Sequence, residues 1–209
     1  MLAARSSPAS GEDALAPPSA LTLLARVLLT GLQSPRLGRF LNEWPPPAEP
    51  RSILPATVPA IRWLPRVRES TPRFSTSFVD ALVAAAPSLA WQRSYSAAAV
   101  GATFYENYGW TELAGLTGPT ASERLACGVL ILGPHLTYPS HRHEAEEIYV
   151  PLSGTAEWWH GSSNWRERPP GAVIHHARNE PHAMRTGRDP LLGLYLWRSD
   201  HLAQKSHLD

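Results

Sequence analysis

The segment HRHEAEEIY, residues 141–149, concentrates two histidines, three glutamates and a tyrosine in nine positions. In an extended segment, side chains alternate between the two faces of the strand. One face would then carry His141, His143, Glu147 and Tyr149, and the other Arg142, Glu144, Glu146 and Ile148. Two imidazoles and one carboxylate on the same side form an incomplete site for a divalent metal, because at least one more ligand is needed.

His182 in the segment NEPHAM is the strongest candidate for the missing ligand. Pro181 fixes the backbone before it, and a strand that begins at the turn Pro170–Gly171 leads to it. A hairpin through EWWHGSSNW would return this strand against the first one. The weaker candidates are His135 and one member of the pair His175 and His176. These ligand types suit one divalent transition metal and leave Fe, Zn, Mn, Ni and Co open.

The overall composition narrows the class of protein. The 209 residues are 43% hydrophobic and carry a formal net charge of +1, which suits one domain, or a domain with an extension, and gives no sign of a nucleic-acid or membrane-surface partner. The single cysteine, Cys127, excludes an internal disulfide framework, and its apolar surroundings predict a small buried side chain. The apolar stretch ALTLLARVLLTGL is interrupted by Arg26 and is too short to span a bilayer. The N-terminus lacks a signal-peptide pattern, so we expect a cytoplasmic protein.

For the first part of the chain, residues 1–95, the sequence pattern predicts a flexible N-terminus followed by a helical and Pro-rich extension. Residues 1–18 are small and polar, and we expect them to be poorly ordered. Residues 19–41 have helical spacing divided by Pro35, and TSFVDALVAAAPSLAWQ predicts a helix interrupted at Pro87. Residues 45–72 are so rich in proline that we expect an extended connector.

After about residue 95 the pattern changes to short apolar runs separated by turn signals. These runs are of strand length, and HGSSN predicts a hairpin turn. Residues 96–209 therefore predict an antiparallel β-barrel or jelly roll, the domain that also carries the candidate metal ligands and would be the catalytic domain if the chain is an enzyme.

The same residues resemble the cupin superfamily. Its first motif, HxHxxxE followed by six residues and a glycine, matches His141, His143, Glu147 and Gly154, and its second motif matches Gly171 to His182. The longer segments ENYGWTELAG, YPSHRHEAEEIYVPLSGTAEWW and PHAMRTGRDPLLGLYLWRSD resemble the bacterial cupin-type dimethylsulfoniopropionate (DMSP) lyases. The resemblance implies a mainly β fold, the cupin double-stranded β-helix or jelly-roll barrel, with an α-helical N-terminal extension.

The resemblance also implies a reaction, the β-elimination of DMSP to dimethyl sulfide and acrylate at a metal in the barrel. The metal ligands would be His141, His143, Glu147 and His182. Tyr149 would be the general base, and Tyr138 would bind the substrate or share the base role. The sulfonium cation of this zwitterionic substrate requires aromatic faces. We expect these from Trp159, Trp197 and Tyr105, with Trp158, Trp110 and Tyr195 as further candidates.

Two other functional classes fit the same ligands, because a fold does not fix a function. One is a different metal-dependent cupin enzyme, such as a dioxygenase or a sugar isomerase. The other is a non-catalytic cupin that binds a small ligand. The N-terminal third is a candidate for covering an open barrel edge or for a subunit contact in a homodimer.

Overall fold

The computed structural model describes residues 18–209, so the expectation of a poorly ordered N-terminus concerns residues that lie outside the described part, apart from Pro18. The helices are α1 Pro18–Gly31, α2 Gly38–Asn42, α3 Leu64–Glu69, α4 Thr76–Ala85, α5 Ala97–Val100 and α6 Ala102–Asn107. Short 3-10 segments lie at Pro35–Leu37, Pro59–Trp63 and Ala86–Ser88. Within residues 18–209, no helix combines the length and the apolar character that crossing a bilayer requires.

The prolines act on the helices partly as predicted. Pro35 begins the 3-10 segment that separates α1 from α2, and Pro87 lies where α4 gives way to a 3-10 segment. The prediction of an extended connector over residues 45–72 is wrong in its second half, which contains Pro59–Trp63 and α3. Pro59 and Pro65 occupy the first turn of these two helical segments. A backbone N–H in the first turn has no acceptor within the helix, so a proline there costs no hydrogen bond.

Eleven strands follow α6 in the part of the chain that the structure describes. They are β1 Tyr108–Gly115, β2 Thr120–Ala121, β3 Leu125–Leu132, β4 Thr137–Arg142, β5 Glu146–Ser153, β6 Ala156–His160, β7 Arg166–Arg168, β8 Ile174–His176, β9 His182–Thr186, β10 Leu191–Arg198 and β11 His207–Leu208. The region after residue 95 therefore still contains α5 and α6, and the strands begin at Tyr108 rather than near residue 96.

The strands form two sheets. One has the order β2-β1-β3-β10-β5-β8 and the other β11-β4-β9-β6-β7, and every pairing is antiparallel except β1 with β2. Side chains of both sheets share one buried cluster, which includes Leu130 and Tyr149 from the first sheet and Trp158 and Met184 from the second. The two sheets thus enclose an interior, and the predicted mainly β jelly-roll barrel with a helical extension is confirmed.

The first sheet is buried on both faces, because the N-terminal helices pack on its outer face. In β3 the even-numbered Ala126 and Leu130 face the barrel interior, whereas Cys127 and Val129 belong to a second cluster outside it. That outer cluster also contains Leu21, Leu29, Phe40, Phe78 and Leu82 of α1, α2 and α4. The free Cys127 is fully buried there, as its surroundings predicted, and burial raises the pKa of its thiol above the ordinary value of 9.0.

The segment HRHEAEEIY is not one strand, contrary to the interpretation of its alternation. It ends β4 at Arg142, turns at residues 143–145, and begins β5 at Glu146. Since β4 and β5 belong to different sheets, the chain crosses from one wall of the barrel to the other within this segment. The crossing brings the two histidines and Glu147 together across the interior.

Candidate metal centre

Three side chains converge at one buried point between the two sheets. The ligand atoms of His143, Glu147 and His182 all lie within 4.8 Å of one another, and the three residues are buried. His143 lies in the turn after β4, Glu147 near the start of β5, and His182 at the start of β9. The strand that begins at His182 returns against β4, because β9 pairs with β4 and sets His182 opposite His141.

Backbone carbonyls fix the orientation of the three histidine rings. The Nδ1 atoms of His141, His143 and His182 contact the carbonyl oxygens of Pro139, Ala145 and Glu180 at 2.9, 2.9 and 2.8 Å. A carbonyl oxygen only accepts, so each Nδ1 carries the proton and donates. Each Nε2 is then free to bind a metal, which is the usual arrangement of histidine ligands.

With the proton on Nδ1, the Nε2 lone pairs of His143 and His182 point towards the Glu147 carboxylate. Its Oε2 lies 3.0 Å from Nε2 of His143 and 3.1 Å from Nε2 of His182. The His182 Nε2 is buried and has no hydrogen-bond partner among residues 18–209. Unprotonated nitrogens this close to a carboxylate oxygen repel it unless a cation lies between them. The donor set therefore fits a divalent metal.

The charge states of the buried groups suit the same cation. Burial raises the pKa of Glu147, but His143 and His182, in the forms that carry a proton on Nε2, outweigh it and bring that pKa well below 4.5. A metal cation in place of those protons would favour the ionised carboxylate in the same way. Burial, and after it the neighbouring His182, lowers the pKa of His141 to about 3. The site thus presents an ionised carboxylate and a neutral imidazole, the forms in which these side chains bind metals.

Two further side chains hold this cluster in place. Trp197 donates its Nε1–H to Oε1 of Glu147 at 2.6 Å, which leaves Oε2 directed at the histidines. His176 lies opposite Glu147 in the β5–β8 pairing, and its ring stacks on that of His182 at 4.1 Å with an angle of 11°. Both ring nitrogens of His176 are buried, and neither finds a hydrogen-bond partner in the described part of the chain.

His141 and Tyr138 lie beside the three converging ligands. The ring of His141 is 4.2 Å from that of His182 and 6.3 Å from that of His143. Tyr138 stacks on His141 at 4.1 Å with an angle of 11°, and its hydroxyl is 3.3 Å from those of Tyr95 and Tyr108. Burial, and after it the neighbouring tyrosines, raises the pKa of Tyr138 well above 10.0.

A cavity of about 420 Å³ reaches this region at His141, whereas His143, Glu147 and His182 do not line it. Tyr149 lines it, along with Tyr138, His141, Tyr195, Trp110 and Trp197. Tyr149 faces the interior two residues after Glu147, and its pKa is raised well above 10.0 by burial and then by the Glu147 charge. Residues 202–206, in the segment that leads to β11, also line it, as do residues 92–94 of the N-terminal extension.

Two of the predicted aromatic residues lie away from this cavity. Trp159 is on the outward side of β6, because its neighbour Trp158 is the one buried in the barrel, 5.0 Å from Tyr149 between ring centroids. Tyr105 is on α6, where the guanidinium of Arg93 covers its ring at 3.5 Å. Of the three residues expected to hold the sulfonium, the structure places only Trp197 in the lining.

Sequence analysis assigned no supporting role to His176 or to the indole N–H of Trp197. The pair His175 and His176 did indicate that one imidazole faces inward, and His176 does. No pattern in the sequence indicates that its ring stacks on His182, because that contact depends on the β5–β8 register.

Comparisons with known proteins find similar sequences and similar folds. The model of the dimethylsulfoniopropionate lyase family matches residues 38–193. The dimethylsulfoniopropionate lyase DddQ of Ruegeria pomeroyi is 35% identical over 188 residues, which cover 88% of this chain and 90% of the relative. The crystal structure of DMSP lyase DddQ from Ruegeria pomeroyi DSS-3 has a TM-score of 0.80 at 31% identity, over 92% of this chain and 97% of that one. A structure reported with the DMSP lyases RdDddP and RnDddQII has a TM-score of 0.81 at 34% identity, with the same coverage.

Proposed function

Because the chain belongs to the dimethylsulfoniopropionate lyase family, a family of carbon–sulfur lyases, we propose that it cleaves DMSP to dimethyl sulfide and acrylate by β-elimination. The observation that supports this most directly is the convergence of His143, Glu147 and His182 beside a cavity whose lining includes four tyrosines, Tyr138 and Tyr149 among them. The proposal includes one divalent transition metal at this point, drawn from Fe, Zn, Mn, Ni and Co, with His141 as the fourth ligand.

The proposed reaction removes a proton from the carbon next to the substrate carboxylate, which is weakly acidic. When bound, the metal supplies positive charge that neutralises the developing enolate-like charge and favours a nearby phenolate. Tyr149 is the proposed base, because its side chain faces both the cavity and Glu147. As its phenolate takes the proton, the electron pair forms the Cα–Cβ double bond, and the bond from Cβ to sulfur breaks to release neutral dimethyl sulfide.

The cavity offers partners for both ends of a zwitterionic substrate. Trp110, Tyr195 and Trp197 present aromatic rings, which bind a sulfonium cation through their faces. Tyr138 lies beside His141, so its hydroxyl is the proposed hydrogen-bond donor to the substrate carboxylate. Trp159 and Tyr105 have no part in the proposal, because neither lines the cavity.

The test is the release of dimethyl sulfide from DMSP under argon by the purified, metal-loaded protein, measured by headspace gas chromatography. We expect release with an equal amount of acrylate, and loss of both after the metal is removed with a chelator. Argon separates a lyase from a dioxygenase, which needs oxygen. Absence of release with all five metals would contradict the proposal.

A further inference from the structure

A second cavity, of about 750 Å³, lies on the surface where the segment before α2 meets the edge strand β7 and the strand β8. It shares no lining residue with the cavity of the metal centre. Its lining is Pro35, Arg36, Arg39, His160, Arg166, Arg168, Ile174, His175, Ala177 and Glu180. Four arginines and two histidines thus surround a space in which Glu180 is the only carboxylate.

That carboxylate does not neutralise the arginines. One oxygen of Glu180 is 3.0 Å from Nδ1 of His160, and the other accepts the backbone N–H of Ala177 at 2.8 Å. Of the arginines, only Arg39 has an ion pair among the described residues, 3.0 Å from Glu146, and that carboxylate also binds Arg198. The cavity keeps an excess of positive charge after its internal contacts are made.

The other three arginines have no ion pair within residues 18–209. Arg166 and Arg168 are two positions apart on β7, so their side chains leave the strand on the same side. The Nε of Arg168 is buried and has no hydrogen-bond partner, so no acceptor in the described part of the chain holds this nitrogen. Positive side chains on one side of a strand repel each other, and an anion bound between them would relieve that repulsion.

We propose that this cavity, the arginine pocket, binds a small organic anion that carries at least two negative charges. Guanidinium groups bind phosphate and carboxylate oxygens through pairs of parallel hydrogen bonds. Several guanidinium groups together offer more hydrogen-bond donors than a single carboxylate can accept, so a ligand with more than one anionic group suits the pocket. The volume is in the range of pockets for small molecules. A phosphorylated compound and a dicarboxylate share this chemistry, and the test separates them.

The test measures anion binding to the metal-loaded protein by isothermal titration calorimetry, with inorganic phosphate, malonate and acetate as separate probes. We expect phosphate or malonate to bind with a Kd below about 1 mM and acetate to bind more weakly. The tighter dianion identifies the class of ligand. In the double variant R36Q/R166Q, the Kd for that dianion should rise about tenfold or more.

The double variant R26Q/R73Q is the matched control, because it removes the same charge from two exposed arginines outside the pocket. We expect it to bind the dianions as the parent does. Equal affinity of the parent and R36Q/R166Q would place the anion elsewhere, at the metal centre for example, and overturn the proposal. Failure of the parent to bind either dianion would overturn it too. The lyase reaction plays no part in these measurements, so their outcome is independent of the proposed function.

Discussion

Tyr149 and Glu147 lie two positions apart on β5, and both face the interior between the sheets. Replacing Tyr149 with Phe removes one hydroxyl and keeps the ring that packs on Trp158. If this hydroxyl is the base, dimethyl sulfide release from DMSP should fall by about a thousandfold while the metal content stays at the parent level. Release rates and elemental analysis of the same preparation measure both. A variant that keeps more than a tenth of the parent rate would assign the base elsewhere.

Trp197 is close enough to the metal centre to act on metal affinity. Its Nε1–H donates to Glu147, and its ring lies 4.2 Å from that of His143. The Trp197→Phe variant keeps an aromatic ring but releases the carboxylate, so we expect the metal affinity to weaken about 10- to 100-fold. Competition with a chromogenic chelator measures this affinity. Trp165→Phe is the control, because Trp165 packs under Arg185 away from the centre, and an equal loss in both variants would argue against the role of the indole N–H.

At the scale of elements, Glu146 joins four of them. Its carboxylate, on the first residue of β5, contacts Arg198 of β10, His175 of β8 and Arg39 of α2. Alternation of strand faces predicts that Glu146 points away from Glu147, and it does. A charged side chain on the face away from the metal ligands is ordinarily solvated, whereas Arg39 of the helical extension packs on that face and Glu146 is only 6% exposed.

This carboxylate gives the fold a dependence on pH. Burial raises the pKa of Glu146, but Arg198 and then His175 outweigh it and keep that pKa below 4.5. A lowered pKa stabilises the folded state at pH above 4.5, and the contribution is lost as the pH falls through the lowered value. The Glu146→Gln variant should therefore lose about 1–3 kcal/mol of unfolding free energy at pH 7 and much less near pH 3.

Urea denaturation at both pH values measures this difference. Glu157→Gln is the control, because Glu157 pairs with Arg185 on the exposed surface and should change the stability little at either pH. A loss for Glu146→Gln that is the same at pH 7 and pH 3 would show that packing, rather than charge, is responsible.

The sequence predicted the elements better than their places in the barrel. Spacing located α1, α4 and most strands, because apolar periodicity is a local property. The crossing between β4 and β5 was missed, because the turn at residues 143–145 contains no Gly or Pro. Whether Trp158 or Trp159 faces inward depends on how β6 pairs with β9, which is a long-range contact that alternation alone does not determine.

At the scale of the whole molecule, the helical extension and the barrel share the cluster on the outer face of the first sheet. Of the two roles left open for the extension, covering a barrel edge describes one contact, the backbone pairing of Gln92 with Trp110 of β1. A subunit contact stays a prediction. The shared cluster itself packs against the face of the sheet, which neither role describes. The sequence does not indicate which element packs on the outer face of this sheet. The residues of β3 are apolar on both faces, and that pattern predicts only that both faces are buried.

This shared cluster predicts that helices and barrel unfold together. Leu82 of α4 is fully buried in it, so the Leu82→Ala variant should lose about 2–5 kcal/mol of stability. We expect one urea transition, with the same midpoint by tryptophan fluorescence and by far-UV circular dichroism. Leu54→Ala, at a position 87% exposed, should change the stability by less than about 0.5 kcal/mol. Separate transitions for the two probes would instead divide the molecule into two folding units.

The single cysteine lies between the N-terminal helices and the first sheet, so its reactivity reports how often these two layers separate. A thiol reagent reaches Cys127 only when helices and sheet separate, and no second thiol competes for it. The rate of modification at low denaturant concentration then measures how often the native molecule exposes the cluster between the helices and the first sheet. If the helices detach while the two sheets remain packed together, added metal should leave the rate of Cys127 modification unchanged. If the opening also separates the candidate metal ligands on the two sheets, added metal should slow it.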